Sequence, residues 1–254
     1  MNTVLATAAN DPAPPQLVLP GKSLPASAAF SWIAQGWALF RKAALMWVVL
    51  TVLILIAAVV VSMVPFLGTV AWQVMTALIA GGLVLGCWSL EEDGELELDH
   101  LFAGFKRNFR GLGLVGVAYL VGVVIILAVF SIFVGLSVLP ALLMGNSEAA
   151  VAAFATMSGG LLVGTLVLTV LSIALGAAMW FAPALVIMHN VAPLEALKVS
   201  FFAVLRNFVP ALIFAIVMFL LAIVASIPFG LGMLVWVPVL ITASYRAYRQ
   251  IFTA

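Results

Sequence analysis

The sequence predicts an all-α integral membrane protein with six transmembrane helices in three hairpin units, each unit preceded by a cytoplasmic amphipathic helix. Three observations predict it. Of the 254 residues, 66% are hydrophobic and 7% are charged, against roughly a quarter charged in soluble domains. Uncharged runs long enough to cross ~30 Å of hydrocarbon as helices recur along the chain. All ten Lys and Arg residues fall on one side of a six-span arrangement. Positive residues are retained in the cytoplasm during insertion, so both termini are expected there.

Residues 1–25 hold Pro12, Pro14, Pro15, Pro20 and Pro25 among small polar side chains. Such a segment buries too little apolar surface to offset its ordering entropy, which predicts a disordered cytoplasmic tail. It lacks the basic start and apolar core of a cleavable signal. Residues 26–254 form the six-span domain, with spans near 43–64, 66–90, 111–136, 160–188, 209–227 and 231–249.

An apolar stripe precedes each pair of spans. Phe30, Ile33, Trp37 and Phe40 end at Arg41 and Lys42; Leu98, Leu101, Phe102, Phe105 and Phe109 are flanked by Lys106 and Arg107. Leu194, Leu197, Phe201, Val204 and Phe208 are flanked by Lys198 and Arg206. Spacings of three and four give each helix a greasy face, and basic flanks suit anionic headgroups. The other reading makes these stripes wet extensions of the spans. Phe102, Arg107, Asn108 and Phe109 match Phe201, Arg206, Asn207 and Phe208 without a gap, which predicts an internal repeat. The turn Val64-Pro65-Phe66-Leu67-Gly68 is echoed by Ile227-Pro228-Phe229-Gly230-Leu231-Gly232. In the middle unit a longer outer connection, about 137–159, is expected to contain a short helix capped by Asn146.

The pairs Gly82/Gly86 and Gly160/Gly164 match the small-residue spacing that lets helices approach closely. Trp32, Trp37, Trp47, Trp88, Trp180, Tyr245 and Tyr248 are expected as an aromatic belt at the cytoplasmic boundary.

Several of these pieces carry a family resemblance: Gly36-Trp37 with Phe40-Arg41, Leu101-Phe102-Ala103-Gly104-Phe105, Phe181-Ala182-Pro183-Ala184-Leu185, Leu194-Glu195-Ala196-Leu197-Lys198, and the Pro228 turn. Through them the chain resembles an uncharacterised family of six-helix proteobacterial inner-membrane proteins, across nearly everything after Pro25. It also looks like a distant relative of the membrane portion of some glycerophosphodiester phosphodiesterases, without their catalytic domain. The resemblance implies a multi-pass protein of the bacterial inner membrane and supplies no activity.

The chemistry is sparse. No ionisable group lies in the six span cores, which argues against proton coupling. Glu91, Glu92, Asp93, Glu95, Glu97, Asp99 and His100 crowd one loop, but Ca²⁺-loop spacing and HExxH are both missing. That loop reads as solvated, with Asp99 capping the next helix and the carboxylates balancing Lys106, Arg107 and Arg110. One cysteine, Cys87, excludes a disulfide framework or thiol cage within one chain. No phosphate loop, catalytic triad spacing or nucleic-acid patch is found, and neither a cofactor nor a metal is expected.

The reading is a non-catalytic membrane protein that interacts with lipids or with other membrane proteins, or assembles as a homo-oligomer. Its candidate headgroup contacts are Arg41, Lys42, Lys106, Arg107, Arg110, Lys198, Arg206, Arg246 and Arg249. One alternative is a transporter or channel for a lipid or other hydrophobic molecule, with a cavity lined by Gln73, Thr76 and the neighbourhood of Pro183, and with His189 as a further polar candidate. The other is a membrane enzyme that uses the acidic loop 91–100.

Overall fold

The computed structural model describes residues 15–144 and 147–254, with side chains over 15–133 and 159–254. Nine helices are present among the described residues: α1 (Ala28–Lys42), α2 (Ala44–Ser62), α3 (Leu67–Glu91), α4 (Asp99–Arg107), α5 (Phe109–Met144), α6 (Ser147–His189), α7 (Pro193–Arg206), α8 (Phe208–Ser226) and α9 (Met233–Phe252).

Five of these contain segments long and apolar enough to cross a membrane: Ala44–Ser62, Leu67–Glu91, Phe109–Phe133, Gly159–His189 and Phe208–Ser226. The sixth expected span coincides with α9, whose 20 residues carry Arg246, Arg249 and two tyrosines in their second half. These lower its hydropathy below that of the other five. In the middle unit α5 and α6 run on through most of the expected outer connection, to Met144 and from Ser147. The expected cap, Asn146, lies outside the described residues.

Each short helix packs on the end of a long helix that precedes it around the bundle. A Cβ on Gly36 of α1 would come within 2.6 Å of the Ala243 backbone in α9. A Cβ on Gly104 of α4 would come within 2.0 Å of the Leu78 carbonyl in α3, and one on Gly82 within 2.2 Å of the His100 carbonyl. At the third junction the Ser200 hydroxyl of α7 donates to the Ala177 carbonyl of α6 at 2.7 Å and accepts from the Phe181 amide at 3.0 Å. Small side chains face the protein on these helices (Ala28, Ala29 and Gly36; Ala103 and Gly104; Ala196, Ser200 and Ala203), because only they allow backbones this close. Of the large apolar side chains, Trp32, Leu39, Phe40 and Leu101 turn inward, while Phe30, Trp37, Phe102, Leu194, Phe202 and Leu205 are all exposed.

The helices α3 and α9 overhang their partners, whereas α6 ends level with the start of α5, with Gly122 on Leu175 and Gly164 on Phe133. Leu112 of α5 sits on Gly81 of α3 and Gly116 sits on Val74, so the last turns of α3 stand beyond the start of α5. A buried core gathers at this end, from Trp88, Phe181, Leu185, Tyr245, Tyr248 and Phe252 with Trp32 of α1. Lipid offers apolar side chains no such incentive to gather as water does, and the membrane-length segments of α2, α5, α6 and α8 stay mostly exposed. Trp32, Trp47, Trp88, Tyr245 and Tyr248 are therefore interior rather than a boundary belt, and Trp37 alone of the described aromatics expected there is more than a third exposed.

The described part of the expected tail, residues 15–25, is tied down. The Val18 amide donates to Phe252 O at 2.7 Å and the Lys22 amide to Ile251 O at 2.7 Å. The Asn207 side chain donates to Lys22 O at 3.0 Å and accepts from the Leu24 amide at 2.8 Å. Proline leaves few amides to satisfy, and the remaining ones find acceptors at the end of α9, which offsets the ordering cost.

Both proline turns hold a phenylalanine at positive φ, Phe66 at 61° and Phe229 at 52°; the Leu67 amide donates to Pro65 O in the first and the Phe229 amide to Ile227 O in the second.

Candidate functional site

Charge gathers at the overhanging end. Glu91, the last residue of α3, receives Arg246 Nη1 on Oε1. Its Oε2 accepts the Tyr245 hydroxyl and lies 3.2 Å from Arg249 Nε. Arg246 Nε donates to Gln35 Oε1 of α1 at 2.9 Å. The two arginines and Glu91 are only 20–24% exposed at their side chains. One carboxylate thus ties α3 to α9, with α1 drawn in by Gln35. Arg246 and Arg249, expected as headgroup contacts, face inward to this anion.

The rest of the acidic loop disperses. Asp93 pairs with Lys42 at 2.9 Å, and that bond holds its carboxyl below the usual aspartate range. Asp99 pairs with Lys106 rather than capping; it is the first residue of α4, follows Leu98 at the cap position, and makes no side-chain cap bond. His100 Nδ1 accepts from the Glu97 amide at 3.0 Å. Among the described residues no three His, Cys, Asp or Glu side chains are grouped to hold a metal ion.

Two almost wholly apolar cavities lie beneath the charged end. The central one, about 310 Å³, is lined by Ile54, Trp72, Thr76, Leu83, Pro183 and Tyr245 among others. Its volume is at the small end of the range for ligand sites. The second, about 400 Å³, lies between α6, α7 and α8 and is lined by Val170, Ala177, Phe201, Leu205, Phe208 and Leu212 among others. Trp180 lines both. Its ring stacks on Phe181 at 4.7 Å and on Phe214 at 5.3 Å, with Trp32 edge-on at 6.5 Å.

Thr76 and Pro183, expected at a cavity, line the central one. Gln73 and His189 are not among its walls; Gln73 O accepts the Thr76 hydroxyl, and His189 closes α6 beside Tyr248 at 6.2 Å. Of the expected basic contacts, Arg41, Lys42, Lys106, Arg107, Arg110, Lys198 and Arg206 are exposed. Arg206 donates to Gly21 O at 2.8 Å, and Lys42 is shared between Leu90 O and Asp93. Sequence reasoning missed the Glu91 cluster and the double role of Trp180. A single signal pointed to the first: Tyr245, Arg246 and Arg249 crowd the end of a helix whose other face is apolar.

No protein-family model matches the chain, and no solved structure matches it. A protein of Burkholderia thailandensis named "probable inner membrane protein" is 27% identical over 213 residues, which cover 82% of this chain and 78% of the relative. With the five membrane-length helices, this similarity supports a membrane protein and a membrane location. The likeness to the membrane portion of glycerophosphodiester phosphodiesterases finds no support in these comparisons.

Proposed function

We propose that this chain is a non-catalytic protein of the bacterial inner membrane that crosses it six times and works by binding membrane lipid. In this reading α1, α4 and α7 are amphipathic entries to a threefold internal repeat, and the overhanging charged end is cytoplasmic. The observation that carries the proposal is the outward face of the short helices. Phe30, Trp37, Phe102, Leu194, Phe202 and Leu205 are exposed on the same helices as the exposed Arg41, Lys106, Arg107 and Lys198. Apolar side chains beside cations match the boundary between acyl chains and anionic headgroups. Purification in lipid nanodiscs followed by mass spectrometry tests this reading. Enrichment of anionic phospholipid over the bulk composition is expected, and a bulk-like lipid profile removes the proposal.

A second reading, a carrier of a hydrophobic molecule, is favoured by the central cavity with Thr76 and Pro183 in its wall. Saturable uptake of an apolar fluorophore into proteoliposomes, abolished by Thr76→Trp, is the outcome it requires.

A further inference from the structure

We propose that the cavity between α6, α7 and α8 is the seat of one acyl chain of an anionic phospholipid, with Lys198 meeting its headgroup and Trp180 dividing the chain from the central cavity. The inference rests on the lipid-binding reading above and assigns it a site.

Three observations converge. First, the cavity's rim is made of side chains that face outward: Val170, Ile173, Leu205, Phe208 and Leu212 are 45–65% exposed. In a bilayer such a rim opens onto hydrocarbon, so the molecules that reach it are lipids. Second, its depth fits. The wall on α6 runs from Trp180 back to Val170, about 15 Å at 1.5 Å per residue. That is about one leaflet of a ~30 Å hydrocarbon core. Third, charge lies where a headgroup would be. Lys198 stands three residues before Phe201 and seven before Leu205, on the α7 face that borders the cavity. Its side chain is 70% exposed, and Glu195 is its nearest ion partner at 4.0 Å, too long to be a hydrogen bond. An ammonium held this loosely is free to meet a phosphate. Arg206, the other cation of α7, is bonded to Gly21 O at 2.8 Å.

Trp180 gives the site its boundary. Its indole forms part of both apolar walls and is clamped by Phe181 and Phe214. Truncating it merges the lipid-facing cavity with the central one. A chain seated at Leu212 then gains a path to Thr76.

The test uses the full chain in vesicles of phosphatidylethanolamine and phosphatidylglycerol, with a phosphatidylglycerol probe that carries a photoactivatable diazirine in its acyl chain. Crosslinked residues are mapped by mass spectrometry. Wild type is expected to crosslink at Ala174, Ala177 and Leu212. Leu212→Trp, on an exposed position, and Ala215→Trp as an independent filler are each expected to abolish those crosslinks while other surface crosslinks persist. Lys198→Gln is expected to lower the preference for the anionic probe over a phosphatidylethanolamine probe by about fivefold. Trp180→Ala is expected to move crosslinks to Thr76 and Leu240. Crosslinks in the cavity that survive both fillers, or an unchanged headgroup preference in Lys198→Gln, overturn the site. Purified protein that retains anionic lipid yet never crosslinks in this cavity also overturns it and leaves the broader lipid reading standing. Crosslinks in Trp180→Ala that stay at Leu212 overturn the dividing role.

Discussion

The Ser200 hydroxyl accepts the Phe181 amide at 3.0 Å and returns its own proton to Ala177 O at 2.7 Å, so that α7 is inserted into the backbone ladder of α6. The insertion lies two residues before Pro183, which has no amide to donate, so α6 is already loosened there. Ser200→Ala leaves the buried Phe181 amide without its partner. We expect a loss of about 1–3 kcal/mol and a lower apparent melting temperature in detergent. Unchanged melting would show that α6 closes its own ladder.

Glu91 joins helices 155 residues apart in sequence. Glu91→Gln strips the anion from two mostly buried arginines, a change expected to cost about 3 kcal/mol. The double variant Glu91→Gln/Arg246→Gln should cost less than the sum of the two single variants. A double-mutant cycle read by chemical denaturation checks this, and additive losses would argue against the pairing.

Gly104→Val should prevent α4 from docking, since a Cβ there already meets Leu78 O at 2.0 Å. The same substitution at Gly113, with nothing within 4 Å, is the control expected to be tolerated. Size-exclusion profiles after extraction distinguish them.

Asp93 should titrate below an ordinary aspartate because Lys42 donates to it. A carboxyl lowered in the fold stabilises it above the unfolded-state value and loses that contribution as pH falls through its own lower value. Lys42→Met should return the Asp93 carboxyl signal in an NMR titration to the normal range. The effect on stability is small because the Asp93 side chain is 90% exposed.

Phe229 is fully exposed in the second proline turn and Ala254 lies at the opposite, charged end. In a Cys87→Ala background, Phe229→Cys should be labelled by a membrane-impermeant thiol reagent added outside intact cells, and Ala254→Cys only after lysis. The reverse pattern would overturn the six-span topology.

The short helices were legible as stripes, yet the side they bury was not. The stripes divide: Phe30, Trp37 and Phe102 face outward while Phe40 and Leu101 are buried, and the protein-facing side is completed by small residues outside the stripes, Gly36, Ala103 and Ser200. Periodicity locates an apolar face, but it does not say whether protein or lipid covers that face. The order of residues 15–25 is hidden from the sequence for a related reason: Asn207 and the end of α9, which satisfy their backbone, lie some 180 to 230 residues away.

By itself the sequence determined the solvent and the elements: long uncharged runs force the backbone to bond internally as helices, and clustered cations mark one end of the bundle. Only the tertiary structure decided that Glu91 meets Arg246 and Arg249, that Ser200 opens α6, and that Trp180 borders two cavities. Those relationships depend on which helix ends overhang and how closely small residues let them approach. That is a property of packed surfaces in three dimensions, to which the spacing of residues along one chain is blind.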